Sequence, residues 1–233
     1  MSLQQLKLDL SKLGSKSKAK LLSGFFKTGK GEYGEGDIFI GVTVPNTRKI
    51  AIKYKDLSLK DIEYLLSSKI HEERLCALLI LVHLYEKHSE KREEIFNFYL
   101  KNTKYVNNWD LVDLSSHHII GDYLLNKNRS ELYRLANSNN LWEKRIAVIS
   151  TFNFIRNKDF SDSIKLSELL LQEKHDLMHK AVGWMLREIG KRDINVLKSF
   201  LAKHYKIMPR TMLRYSIEKF PESERKKYLK GEI

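Results

Sequence analysis

Apolar residues recur at helical spacing along nearly the whole chain, and short polar breaks separate the runs. Leu3, Leu6, Leu10 and Leu13 open the pattern over residues 2–27, with Gly14 placed to interrupt it. The stretch 28–37, TGKGEYGEGD, holds four glycines and reads as loop. The apolar run IFIGVTV follows, and then Pro45, a residue suited to the first turn of a helix. From there the periodicity predicts helices over 59–68, 71–88, 90–103, 108–116, 118–126, 129–137, 141–156, 163–174, 177–191, 194–204, 209–219 and 222–230. No segment shows the period-2 alternation of a half-buried strand. Short helices in close succession pack as antiparallel pairs.

A repeat runs through these helices. EERLCALLIL from Glu72, EKRIAVISTF from Glu143, MHKAVGWMLR from Met178 and MPRTMLRYSI from Met208 each place a basic residue third, with small or apolar residues after it. The anchors Arg74, Arg145, Lys180 and Arg210 lie 71, 35 and 30 residues apart, and the first gap is about twice the second. A missing member falls at Trp109. In that register Asp113 aligns with Leu78, Ile149, Trp184 and Arg214. Helix-pair repeats of this length mark HEAT-like solenoids. The expected architecture is therefore all-α, a single domain over 1–233 of stacked antiparallel helix pairs, curved, with a concave basic groove crossed by Arg74, Arg145, Lys180 and Arg210.

Composition changes the picture in one respect. Lys plus Arg number 42 against 29 acidic residues, a net charge of +13, which calls for a polyanionic partner, nucleic acid before a membrane surface. Arg48, Lys49, Lys53 and Lys55 load the helix after Pro45 with further positive charge. No apolar run approaches the length of a membrane span, and the N-terminus lacks an apolar signal core, so a cytoplasmic protein associated with the nucleoid through DNA is expected. Cys76, the single cysteine, sits in an apolar run and reads as a buried structural thiol. The glycine-rich loop is not a phosphate cradle, since no strand precedes it and no G-K-[ST] follows. His175 and His179 have the i, i+4 spacing of a metal pair, but Asp176 stands where the zinc motif has Glu, and no third ligand is evident. His117 and His118, being adjacent, are not expected to share a helical face.

Trp109 and Asp113 are four apart, on one face of a predicted helix. The plain alternative is a partly buried indole beside a solvated carboxylate. A carboxylate in a DNA groove repels phosphate unless it meets positive charge. An N-alkylated purine carries such charge, and a sugar becomes cationic as its glycosidic bond breaks. With these residues in view, WDLVD at 109–113, WEKRIAV at 142–148, KAVGWMLREIGK at 180–191 and FIGVTVPNTRK at 39–49 resemble the AlkD-type DNA alkylation-repair glycosylases across most of the chain. The resemblance implies excision of positively charged N3- or N7-alkylpurines from duplex DNA by a monomer, with neither metal nor cofactor and no obligate protein partner. It implies Asp113 as the catalytic carboxylate and Trp109 and Trp184 as indoles packing on the deoxyribose. Arg145 matches a backbone-contacting arginine, and Arg48, Arg187 and Arg214 match further basic positions. Tyr33 is the counterpart of an aromatic residue that the family carries ahead of its apolar segment. The rival reading is a non-catalytic HEAT-like nucleic-acid-binding or scaffold protein.

Overall fold

The computed structural model describes residues 2–233 and contains no named strand among them. The residues pack as two compact units, Met1–Ile119 and Ile120–Ile233.

In the first unit the predicted 2–27 helix divides into α1 (Leu3–Lys12) and α2 (Lys16–Phe25). Ser2 and Ser15 cap their N-termini. Next come α3 (Val44–Lys53), α4 (Leu59–Leu66), α5 (His71–Lys87), α6 (Arg92–Lys101) and α7 (Trp109–Asp113). Thr43 occupies the N-cap of α3, so Pro45 falls in the first turn, where its missing N–H costs nothing. Helix α5 is the centre of this unit: it is buried almost all round, and α3 and α4 both pack on it. Its Cys76 is fully buried, and burial, with Glu73 nearby, pushes the thiol up to about 12.

The apolar segment 38–42 is laid along the start of α5. Ile38 N donates to Lys69 O at 3.0 Å, and His71 N donates to Ile38 O at 2.9 Å. The buried Glu72 carboxylate then accepts from the N–H groups of Ile40, Gly41 and Val42. Gly41 has φ +84, and a Cβ there would stand 2.1 Å from Ser15 O, so only glycine fits this crossing beneath α2.

The second unit holds α8 (Asp122–Leu124), α9 (Ser130–Ala136), α10 (Leu141–Arg156), α11 (Ser161–Leu169), α12 (Asp176–Gly190), α13 (Ile194–His204), α14 (Arg210–Ser216) and α15 (Glu222–Lys230). Helices α10, α12 and α14 pack side by side as one layer. Helices α9 and α11 lie against α10, and α13 against α12, as a second layer. This is the stacked helix-pair arrangement the repeat predicts. Asn140 and Asp193 cap α10 and α13 through their side chains. Among the described residues no helix is long and apolar enough to cross a membrane.

Beyond α7, residues His117–Gly121 form a π-helical turn, which is wider than an α-turn. The rings of His117 and His118 lie 4.0 Å apart between centroids. His118 Nδ1 also lies 3.0 Å from a Glu86 carboxylate oxygen.

Candidate functional site

Helix α7 is only five residues long, and side chains fix both of its ends. At the N-terminus Asn108, fully buried, accepts from Trp109 N at 2.8 Å. The Asp110 carboxylate accepts from Leu111 N at 2.9 Å through one oxygen. Its other oxygen meets His71 Nε2 at 2.8 Å. Near the C-terminus Ser115 Oγ donates to Leu111 O at 2.5 Å and accepts from the Tyr99 hydroxyl at 2.9 Å. Burial pushes the Tyr99 phenol well above its ordinary value, and the Asp113 charge adds to the effect. Trp109 and Asp113 are both half-buried. They stand one turn apart on this braced helix.

Behind Trp109 runs a column of rings. The indole stacks on Phe26 at 5.0 Å and 16°, and Phe25 meets it edge-on at 5.8 Å. Phe26 stacks on Phe39 at 5.0 Å, and Phe39 stacks on His71 at 4.4 Å. His71 is 1% exposed, and its Nδ1 lies 3.1 Å from Asp37 Oδ2. Asp37 also receives Arg74 Nη2 at 2.6 Å and Asn108 Nδ2 at 3.4 Å. Asp37 is the last residue of the glycine-rich stretch, so this network ties that loop to α5 and to α7. Beside the column a cavity of about 390 Å³ is walled by Leu21, Leu22, Val42 and Leu75, with His71 and Asp110 at its polar end.

Sequence reasoning misses Phe25, Phe26, Asp37 and His71. The available signal is FFK immediately ahead of the glycine loop. Tyr33 is half-buried, and its hydroxyl donates to Phe25 O at 3.5 Å. Two of the loop's glycine N–H groups are taken internally: Glu32 accepts from Gly29 N and Glu35 from Gly31 N, each at 2.8 Å.

In the second unit Trp184 lies half-buried on α12, its ring 5.9 Å from that of Phe152 on α10. The preceding residue must be glycine, because a Cβ at Gly183 would stand 2.6 Å from Met212 O and 2.6 Å from Tyr215 Cβ on α14. Close helix packing therefore sets the height of Trp184.

Two of the anchors expected to form a row of groove cations are buried. Arg74 is 3% exposed and spends its guanidinium on Asp37 and on Ser68 O, at 2.8 Å. Arg145 is 4% exposed and donates to Leu177 O at 2.6 Å, bracing α10 against the start of α12. The other basic positions differ. Lys180 is half-buried and pairs with Asp176 at 2.7 Å. Arg187 pairs with Glu218. Arg210 is exposed and donates to Leu229 O. Arg48 and Arg214 are exposed and meet no acid among the described residues. His175 accepts from Leu177 N at 3.2 Å as the cap of α12, and His179 Nε2 lies 2.5 Å from Glu173 O, so both rings have local structural partners.

The packing and site geometry define an all-helical protein with an indole–carboxylate helix in one unit and a basic, indole-bearing helix layer in the other. A family model described as DNA alkylation repair enzyme matches residues 6–220, and the chain belongs to that family. The fold is similar to that of a solved structure titled a predicted DNA alkylation repair enzyme from Enterococcus faecalis. The two align with a TM-score of 0.70 at 15% identity, covering 90% of this chain and 97% of the other. Among curated protein sequences none matches.

Proposed function

We propose that this repair-family protein is a DNA glycosylase that hydrolyses the N-glycosidic bond of positively charged N3- or N7-alkylpurines in duplex DNA. The observation that carries the reading is Asp113, a half-buried carboxylate one turn from a half-buried indole on a helix braced at both ends. Cleavage breaks the bond between C1′ and the purine nitrogen. The electron pair goes to the purine and neutralises its charge, while positive charge moves to the sugar. Asp113 stabilises that oxocarbenium-like sugar or orients the water that adds to C1′, and the water's proton passes to solvent. Trp109 and Trp184 are the indoles this reading sets against the deoxyribose. Their apolar faces suit a sugar, and their quadrupoles suit its developing charge.

Phosphate binding falls to the accessible cations Arg48, Arg210 and Arg214, with Lys180 and Arg187 available once their acidic partners are exchanged for phosphate. Arg74 and Arg145 are buried and contact other residues of the chain, so this reading gives the first phosphate contacts to the accessible cations.

The test is the product. Methylated duplex DNA incubated with the full-length protein should release free N3-methyladenine or N7-methylguanine, identified by chromatography. Binding of the duplex with no base released above spontaneous depurination would overturn the reading in favour of a non-catalytic DNA-binding protein.

A further inference from the structure

His71 stands at the junction of everything that supports Trp109. Its ring ends the column Trp109–Phe26–Phe39–His71, with successive centroid distances of 5.0, 5.0 and 4.4 Å. Its two nitrogens reach Asp37 and Asp110, which are 34 and 39 residues away in sequence. Asp110 is the neighbour of Trp109 in the first turn of α7.

A neutral imidazole has one N–H and one bare lone pair. Here both nitrogens face carboxylate oxygens, at 3.1 and 2.8 Å, so a neutral ring would set a lone pair against a carboxylate in a buried site. The surrounding charges agree. From the loop comes Asp37, from α7 Asp110, and from α5 Arg74, which pairs with Asp37 at 2.6 Å. Glu72, also on α5, is held by the N–H groups of residues 40–42. Glu73 pairs with Lys7 of α1 at 3.1 Å, and Lys18 of α2 lines the adjoining cavity. At formal charge Asp37, Asp110 and Arg74 sum to −1, which a proton on each His71 nitrogen offsets.

We propose that His71 is a positioning residue for base excision: as an imidazolium clamped between Asp37 and Asp110, it fixes the first turn of α7 and the ring column, and so sets Trp109. The proposal rests on the glycosylase reading for its effect on the reaction, though not for the state of the ring. Burial works against charge on His71, but its hydrogen bonds to Asp110 and Asp37 outweigh burial and raise its pKa above the ordinary histidine value. Deprotonation releases one carboxylate, and Trp109 loses its support.

Two measurements on the full-length protein test this. Nitrogen-15 NMR of the histidine rings should show both His71 nitrogens protonated at pH 7, and a single neutral tautomer there would overturn the proposal. The single-turnover rate of alkylpurine release should fall with rising pH along the same curve as the His71 ring titration. Asp110→Asn keeps the side-chain shape but removes one counter-charge. Both curves should move to lower pH, with DNA affinity unchanged and circular dichroism confirming the fold. A rate limb that stays in place while the ring titration moves would overturn the positioning role. If Asp110→Asn does not fold, the coincidence of the two wild-type curves decides. If wild type releases no base at any pH, the glycosylase reading fails, and the ring titration still decides the clamp.

Discussion

Arg145 is an anchor of the repeat and Arg214 lies four residues past one, and the two have opposite surroundings. Truncating Arg145 removes a charged hydrogen bond to the Leu177 carbonyl, at a cost of about 1.5–3 kcal/mol. Arg145→Ala should therefore lower the denaturation midpoint and leave the salt dependence of DNA binding unchanged. Arg214→Ala should do the reverse. Stability stays within about 0.5 kcal/mol. The slope of log K against log salt becomes shallower by about one if Arg214 holds one phosphate. Urea denaturation and anisotropy titrations at several salt concentrations separate the two. The His71 network adds a pH dependence. His71 has a raised pKa, so its stabilisation is complete below the ordinary histidine value and is lost as pH rises through the raised one. Burial pushes Asp37 up, but His71 and Arg74 hold it below its ordinary 3.8, so its stabilisation is lost as pH falls through that lowered value. Denaturation midpoints should decline at both ends of the pH range, and a flat alkaline side would contradict the imidazolium assignment.

Among the elements, α12 and α14 pack closely at Gly183. Gly183→Ala places a methyl group 2.6 Å from Met212 O, so α14 must shift, at about 1–3 kcal/mol. The adjacent Trp184 shifts with it. A lowered melting temperature together with a changed Trp184 emission is the expected result, and an unaltered melting curve would show that the contact is slack. Most of the helices are legible in the sequence. Helix α10 spans 141–156 as predicted, and α13 and α15 also match their predicted bounds, because clear breaks in the sequence bound each of them. The π-helical turn at His117–Gly121 is not legible, since its extra residue leaves no compositional mark. Nor does periodicity distinguish an arginine that reaches solvent from one that turns onto a carbonyl. For that reason the anchors Arg74 and Arg145 read as groove cations and are found inside.

Across the whole chain, the charge of +13 dominates any encounter with nucleic acid. Affinity for undamaged duplex DNA should fall steeply and linearly in log K as log salt rises. Much of the candidate site is local enough to read from sequence. Trp109 and Asp113 share one helix, and the repeat register proposes Trp184. What supports them is not local. His71, Asp37 and Asp110 come together only after the 38–42 segment lies along α5, and Phe25 and Phe26 reach Trp109 from the end of α2. The central claim is that Asp113 carries chemistry and does not merely line a binding surface. The most direct measurement is the single-turnover rate of alkylpurine release from methylated duplex DNA by wild type and by Asp113→Asn, with DNA affinity measured alongside. A loss of roughly 10²–10³-fold in rate with affinity unchanged or improved is expected, and equal rates for the two proteins would contradict the claim.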